Sequence, residues 1–259
     1  MSSIPAVVAV NTFREAVRDR VLYNLVFFAL LMMGAAILVG QISVGIERLL
    51  IVNLGLSAIS IFGIIMAIFI GVGLVYKEIE KRTLYSLIAK PIQRWEFIAG
   101  KFGGLLLTLA VNTTFMLLGL FAALLFVSHQ FQSSDLGIVV AAYFILLQLA
   151  LVTAIALFFS CFSSPMLSTL FTLGIYVAGV FLKDIRDISL LTKSPFVGAI
   201  CKAIYYLLPN FQNFNVIGLA GHGEPIPMNL LWQNTLYAAV YVVILLIASA
   251  VVFSGKNLK

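Results

Sequence analysis

Residues 51–76 form one unbroken apolar run, IVNLGLSAISIFGIIMAIFIGVGLVY, that contains no charged residue. A helix needs about 20 apolar residues to cross a hydrocarbon core of about 30 Å, so this run is long enough to span a membrane. It lacks the alternating polarity of a transmembrane barrel strand and therefore indicates a helix. The whole chain is 62% hydrophobic and only 10% charged, whereas about a quarter of the residues in a soluble domain are charged. The sequence thus predicts an all-α integral membrane protein.

Similar runs recur along the chain and predict a single polytopic domain, residues 1–259, with six transmembrane helices. The uncharged stretch 136–182 is too long for one crossing, and SCFSSP in its middle, which includes Pro165, predicts a tight hairpin between two helices. No small-x-small cleavage site follows the first run, so we expect that helix to remain in the mature protein. The predicted spans are residues 22–40, 51–76, 102–127, 137–162, 166–182 and 235–253.

The distribution of Lys and Arg predicts the orientation, because cytoplasmic loops of membrane proteins are enriched in these residues. With a cytoplasmic N-terminus, 11 of the 16 Lys and Arg residues lie on the inner side, while the acidic residues divide equally. The net charge of +6 then faces the cytoplasm, where anionic lipid headgroups balance it and no nucleic acid is required. Both termini are predicted to be cytoplasmic. Cys161 and Cys201 fall on opposite sides, so we expect no disulfide between them.

The N-terminal residues 1–21 are predicted to form a cytoplasmic amphipathic helix. VNTFREAVRDRVLY, which begins at Val10, places Val10, Phe13 and Val17 on one face and charged residues on the other, which is typical of a helix lying in the membrane interface. Thr12 is followed three residues later by a Glu, a pattern that matches a capping box and predicts a helix start at this position.

The outer loop, residues 183–234, contains a second apolar stretch outside the spans. Residues 195–209, PFVGAICKAIYYLLP, are too few to cross the membrane. They predict a re-entrant or surface-lying helix, because backbone that enters the membrane must satisfy its own hydrogen bonds.

The inner loop, residues 77–101, carries nine of the chain's charged residues in the sequence KEIEKRTLYSLIAKPIQRWEFIAGK. Leu84, Leu87 and Ile88 share one face, which predicts a short amphipathic helix. Pro91 ends that helix and suits the first turn of the next one. Such a helix fits a groove on a cytoplasmic partner, where charge pairs set its register. The alternative is an interfacial helix that rests on lipid.

The predicted spans lack the groups that catalysis within the membrane requires. They contain no Asp, Glu, His, Lys or Arg, which argues against an intramembrane enzyme and against an ion-driven transporter. No GxxxxGK[ST] phosphate loop occurs in the sequence, so any ATP must be hydrolysed by a partner. His129 and His222 lie in different outer loops, and GHGEPIPM around His222 has no recognised ligand spacing. We therefore predict neither a metal site nor a cofactor in this chain.

Small and neutral polar residues in and near the spans indicate helix packing. In GKFGG, Gly100 and Gly104 have the small-xxx-small spacing that lets two helices approach closely. Neutral polar side chains within spans form interhelical hydrogen bonds or line cavities. Candidates for these two roles are Asn53, Asn112, Thr113, Thr114 and Gln148.

Three stretches of this chain resemble ABC-2 type transporter permeases, in particular the group associated with multicopper enzyme maturation. They are EIEKRTLYSLIAKPIQRWEFIAGKFGG after the second span, NTFREAVRDRVLY before the first, and YYLLPNFQNFNV in the outer loop. The resemblance covers the six-span layout. It implies a permease subunit of an ATP-binding cassette exporter in a prokaryotic inner membrane. Its implied partners are a pair of cytoplasmic ATPase subunits, which bind ATP and Mg, and a second copy or a related permease chain.

In that family the helix after the second span is the coupling helix, on which the ATPase acts. ATP-driven closure of the ATPase pair would move it and open the permease to alternate sides of the membrane. The resemblance names no cargo, and a non-transporting scaffold that anchors a maturation or signalling complex is the alternative. Carried onto this chain, the coupling residues are Glu78, Glu80, Arg82, Thr83, Leu84, Tyr85, Lys90, Pro91 and Arg94.

Overall fold

The computed structural model describes residues 4–18, 20–42, 45–80, 93–128, 135–191 and 195–255. Throughout these ranges the secondary structure is helical, and no strand occurs in them. A short 3-10 helix, Phe211–Phe214, lies between the eighth and ninth α-helices. The α-helices of the described ranges are α1 (Ile4–Val17), α2 (Arg20–Ile42), α3 (Glu47–Glu80), α4 (Arg94–Ser128), α5 (Asp135–Ser160), α6 (Pro165–Val180), α7 (Leu182–Leu191), α8 (Pro195–Leu207), α9 (Ile217–His222) and α10 (Met228–Gly255).

Four helices in the described ranges are long and apolar enough to cross a membrane: Glu47–Gly73, Trp95–Ser128, Asp135–Ser160 and Met228–Phe253. They coincide with the predicted second, third, fourth and sixth spans and confirm the all-α polytopic class. The predicted first span lies within α2, a continuous helix of 23 residues. The predicted fifth span corresponds to α6, an apolar helix of 16 residues. The total of six spans therefore depends on α2 and α6 and stays a prediction.

The predicted hairpin in SCFSSP is present between α5 and α6. Ser164 is the N-cap of α6, with an extended backbone at φ −70° and ψ 159°, and Pro165 occupies the first helical position. Proline is well tolerated there, because its missing N–H would have no partner in the first turn of a helix. The hairpin therefore needs only four residues between the two helices.

Helix α5 forms the centre of the bundle. It packs against α3, α4, α6 and α10, and its residues from Leu149 to Leu157 are all buried. Its apolar side chains belong to one continuous hydrophobic core with those of α3 and α4. This explains why α5 shows no amphipathic pattern, since a helix surrounded by others is apolar on every face.

One end of the bundle, here called the loop end, brings together distant parts of the chain. Residues 81–92 connect α3 to α4 there. The ring of Phe97 in α4 stacks on that of Phe253 in α10, with centroids 5.9 Å apart. Cys161, next to the α5–α6 hairpin, joins the same apolar cluster. The N-terminal helix, the hairpin and the end of α10 therefore share the end that carries the charged loop.

The opposite end, here called the far end, is joined by polar and small residues. An ion pair links Arg48 in the first turn of α3 to Asp135 at the start of α5. Helix α9 packs against both α3 and α5. At Gly221 in α9, an added Cβ would collide with the carboxamide of Asn53. The absence of a side chain at Gly221 thus lets Asn53 pack directly against α9.

The N-terminal helix differs from its prediction in where it begins. It starts at Ile4, so the capping box at Thr12 is wrong, and Thr12 lies fully buried in the middle of the helix. Val10, on the predicted apolar face, is 47% exposed, and the contact of this face with the membrane interface stays a prediction. The face that packs on the bundle holds Val8, Ala9 and Thr12, because small side chains permit a closer helix contact than large ones.

Candidate functional site

The predicted coupling residues fall largely outside the described part of the structure. Glu78 and Glu80 lie in the last turns of α3, and Arg94 is the first residue of α4. The side chains of these three residues are outside the described part. The remaining predicted residues lie outside the described ranges altogether: Arg82, Thr83, Leu84, Tyr85, Lys90 and Pro91.

The described flank of the loop shows how α4 begins. The backbone N–H of Gln93 donates to Oε2 of Glu96 over 3.1 Å. This satisfies a backbone donor at the helix start, and the carboxylate complements the positive end of the helix dipole. The indole N–H of Trp95 donates to Oε1 of Gln93. The charged loop therefore leads directly into a well-capped helix that continues as a membrane-length span.

Helix α1 packs on the first turns of α4, where two glycines remove the side chains that would separate them. A Cβ on Gly100 would lie 2.6 Å from Cβ of Val8. A Cβ on Gly104 would lie 2.5 Å from the carbonyl oxygen of Ala9. Both distances are far below van der Waals contact, so the two backbones touch only because these residues are glycines. The close approach predicted from GKFGG is thus present, and its partner is the N-terminal helix.

Between the two glycines lies Lys101, a buried cation, although its place in the sequence is the last residue of the charged inner loop. Its side chain is 2% exposed, and Nζ lies 3.9 Å from Oε2 of Glu15 in α1. Nζ also lies 5.8 Å from the ring centroid of Phe97, in the range of a cation–π contact. The charge thus holds α1 to α4. The small-xxx-small spacing of Gly100 and Gly104 was the sequence signal that a second helix packs over Lys101.

At the far end, residues 209–222, here called the outer segment, close over the bundle. Phe211 and Phe214 are 2% and 1% exposed and belong to the main core. The backbone N–H of Asn210 donates to the hydroxyl of Tyr237 over 2.8 Å. The amide of Asn234 donates to the carbonyl of Asn213 over 3.0 Å. Two aromatic anchors and two hydrogen bonds to α10 therefore hold the segment in place.

Helix α6 contributes to the same closure. A Cβ on Gly179 would lie 2.5 Å from Cδ2 of Phe211 and from the carbonyl oxygen of Pro209. The ring of Tyr176, one turn earlier, packs on Phe211 with centroids 5.1 Å apart. In the sequence, the motif YYLLPNFQNFNV contributes to the family resemblance but predicts no contact. Its repeated Phe and Asn residues were the sequence signal for this arrangement. The Phe side chains are buried in the core, and the Asn residues form hydrogen bonds that hold the turn.

A cavity of ≈ 140 Å³ lies beneath the outer segment, between α3, α5 and α6. Among the five polar candidates from the sequence, Gln148 lines this cavity, and its Nε2 donates to the hydroxyl of Tyr176 over 3.1 Å. This is an interhelical hydrogen bond between α5 and α6. Phe211 and Phe214 supply apolar wall on the side of the outer segment.

The other polar candidates take different positions. The amide of Asn112 donates within its own helix to the carbonyl of Thr108 over 2.9 Å. The hydroxyl of Thr114, an exposed residue, donates to the carbonyl of Ala110 over 2.8 Å. Thr113 is buried at 3% exposure, and Asn53 lies against α9.

A family model described as ABC-2 family transporter protein matches residues 6–258. The match covers all ten described α-helices except the first two residues of α1. A comparison with curated proteins finds no match.

Proposed function

The chain belongs to the ABC-2 transporter family, and on this premise we propose that it is a permease subunit that couples ATP hydrolysis by a separate ATPase to export. The resemblance noted in the sequence is thereby confirmed at the level of the family. The multicopper-maturation group stays a prediction. The family match and the apolar helices support a multi-pass membrane protein that forms the membrane domain of an ATP-binding cassette transporter.

The packing of α1 on α4 is the observation that carries the coupling proposal. Residues 81–92 connect α3 and α4, both of which are membrane-length helices. A force on this connection therefore acts directly on two core helices. Because α1 contacts α4 through backbone at Gly100 and Gly104, it would move together with α4. Docking of an ATPase at the loop end would thus displace three elements as one unit.

The ATPase is proposed as a separate subunit because the 259 residues contain no phosphate loop. ATP and Mg would bind on that partner. A pair of ATPases requires two permease domains, which would be two copies of this chain or this chain and a related one. The inner membrane of a prokaryote, with the loop end in the cytoplasm, is the location that agrees with the excess of Lys and Arg at this end.

ATP binding would favour one of two permease conformations, because a ligand shifts an equilibrium by its difference in affinity for the two states. In one conformation the outer segment would close the far end of the bundle. In the other it would separate from α6 and α10 and open that end. Apart from Lys101 and Asp135 near the two ends of the bundle, the buried polar residues of the described ranges are neutral, which suits an amphipathic or apolar cargo better than an ion.

Two substitutions in the inner loop test the coupling proposal, one that reverses a charge and one that places a charge on the apolar face. We expect Glu80→Lys and Leu84→Asp to abolish copurification of the ATPase and its vanadate-sensitive ATP hydrolysis, because each removes a charge pair or an apolar contact in the partner's groove. Membrane insertion should be unchanged. The matched control is Glu224→Lys, a charge reversal at an exposed far-end residue, which should leave docking intact.

Two results would contradict the proposal. Retention of the ATPase by both loop variants would show that docking occurs elsewhere. Purification of the unmodified chain without any ATPase, under mild detergent, would instead support the scaffold alternative.

A further inference from the structure

Helix α3 connects the two ends of the bundle. It is one continuous α-helix of 34 residues, from Glu47 to Glu80, and is therefore about 50 Å long at 1.5 Å per residue. Glu80 lies next to the charged inner loop, whereas Arg48 lies in the first turn at the far end. A regular helix is a rigid element that transmits a displacement along its length. A movement of α3 at the loop end therefore displaces Arg48 at the far end.

At Arg48, α3 is joined to α5 by the ion pair with Asp135. The two side chains are 25% and 10% exposed, so water and salt screen their attraction less than that of a surface pair. Both residues stand in the first turn of their helices, where the helix dipole stabilises a carboxylate and opposes a guanidinium. Arg48 thus depends on Asp135, whereas Asp135 keeps a favourable interaction when the pair separates.

Helix α9 covers the contact between α3 and α5 beside this pair. An added Cβ at Gly221 would collide with Asn53 of α3, and a Cβ at Gly137 of α5 would lie 3.9 Å from Cα of Ala220. Both Asn53 and Gly137 are within two turns of the ion pair. Oδ1 of Asn53 is buried and has no hydrogen-bond partner among the described residues. An unpaired acceptor disfavours the closed packing, so another interaction must hold the three helices together.

We propose that the Arg48–Asp135 ion pair is a latch that holds the far end closed by keeping α3, α5 and α9 in contact. A displacement of α3 relative to α5 would separate the two charges and remove the surface on which α9 packs. Helix α9 has only six residues, too few to be stable without that surface. The trigger, a displacement of α3 from the inner loop, rests on the proposed coupling function, whereas the latch itself does not.

Hydrogen–deuterium exchange of the full chain in nanodiscs tests the latch. The backbone N–H groups of Ala220, Gly223 and Glu224 donate to carbonyls within and next to α9, so their exchange reports the release of this helix. We expect Asp135→Asn to accelerate this exchange about tenfold, between the effects of an exposed and of a fully buried ion pair. The matched control is Asp184→Asn at an exposed position of α7, which should leave it unaltered.

Two further variants separate the loss of the pair from a fold defect in Asp135→Asn. Arg48→Gln breaks the pair from α3 and should give the same acceleration. Arg48→Asp combined with Asp135→Arg places opposite charges against each other again and should restore slow exchange. Residues 149–157 in the middle of α5 should exchange equally slowly in every variant. The latch is overturned if neither single variant accelerates exchange in α9, or if the doubly substituted chain exchanges as fast as the single variants.

The chain copurified with its ATPase distinguishes this inference from the proposed function. ATP with vanadate should accelerate exchange in α9 of the unmodified chain and add little in Asp135→Asn. If ATP has no effect on the unmodified chain while Asp135→Asn accelerates exchange, the latch is supported and the coupling proposal is wrong. If ATP accelerates exchange while neither single variant does, the coupling proposal is supported and the latch is wrong.

Discussion

Gly104 is the residue at which α1 and α4 come closest. A Cβ there would meet the Ala9 carbonyl oxygen at 2.5 Å and Cβ of Thr12 at 2.6 Å, and neither atom is the end of a flexible side chain. We expect Gly104→Ala to lower the free energy of unfolding by about 1–3 kcal/mol, because one added methyl group overpacks a rigid contact. Trypsin cleavage at Arg14, which is exposed on α1, should become faster, and thermal unfolding in detergent should shift downwards.

The matched control is Gly174→Ala in α6. A Cβ at Gly174 meets no atom within 4 Å, so this substitution should raise stability by about 0.5–1 kcal/mol through helix propensity. If Gly104→Ala behaves like Gly174→Ala, the docking of α1 does not depend on the glycine contact.

Lys101 leads to a second prediction at the residue scale. Its ammonium is almost fully buried, whereas the side chain of its partner Glu15 is 41% exposed. Removal of the Glu15 carboxylate takes a counter-charge away from a buried ammonium, while an apolar side chain of the same length removes the desolvation cost itself. We therefore expect Glu15→Gln to lower the melting temperature and Lys101→Met to leave it unchanged or higher.

A double-mutant cycle provides the check on this pair. In the Lys101→Met background, Glu15→Gln should have almost no effect, since the charge it served is gone. A Lys101→Met chain that is less stable than the Glu15→Gln chain would show that the ion pair is not the main role of the lysine.

At the scale of elements, the outer segment is held by few but specific contacts. Tyr237 accepts a hydrogen bond from the Asn210 backbone, and its ring packs on Phe214 with centroids 6.1 Å apart. We expect Tyr237→Phe to keep the ring contact and to lose the hydrogen bond, at a cost of about 1–3 kcal/mol for the buried N–H. Amide exchange in residues 210–214 should accelerate roughly tenfold or more, while exchange in α5 stays constant.

The control for this element is Tyr206→Phe in α8, where the side chain is 78% exposed. This change should leave exchange in the outer segment unaltered. Equal exchange in the two variants would mean that the aromatic anchors alone hold the segment.

For the whole molecule, the loop end and the far end of the bundle should face opposite sides of the membrane. Cys201 lies in α8, on the far-end side of α6, whereas Ser164 is exposed at the loop-end hairpin. We expect a membrane-impermeant maleimide to label Cys201 in intact cells. In a Cys201→Ser background, Ser164→Cys should react only after permeabilisation, because the positive loop end is predicted to be cytoplasmic. The reverse pattern would invert the proposed orientation.

The four membrane-length helices and the α5–α6 hairpin were predictable because they depend on properties summed over neighbouring residues. The apolar run 51–76 appears as α3, and SCFSSP appears as the α5–α6 hairpin. Hydrophobic length and proline chemistry act locally, so the sequence alone determines them. The family resemblance of three short motifs was likewise sufficient for the family.

The tertiary structure decided which residues meet across long distances in sequence. Arg48 and Asp135 are 87 residues apart, and Asn210 and Tyr237 are 27 residues apart. By sequence, Lys101 belongs to the charged inner loop, and only the docking of α1 buries it. The polar cavity likewise exists because α3, α5, α6 and the outer segment converge on one place. Periodicity and composition describe one helix at a time, whereas these features depend on how separate helices pack together.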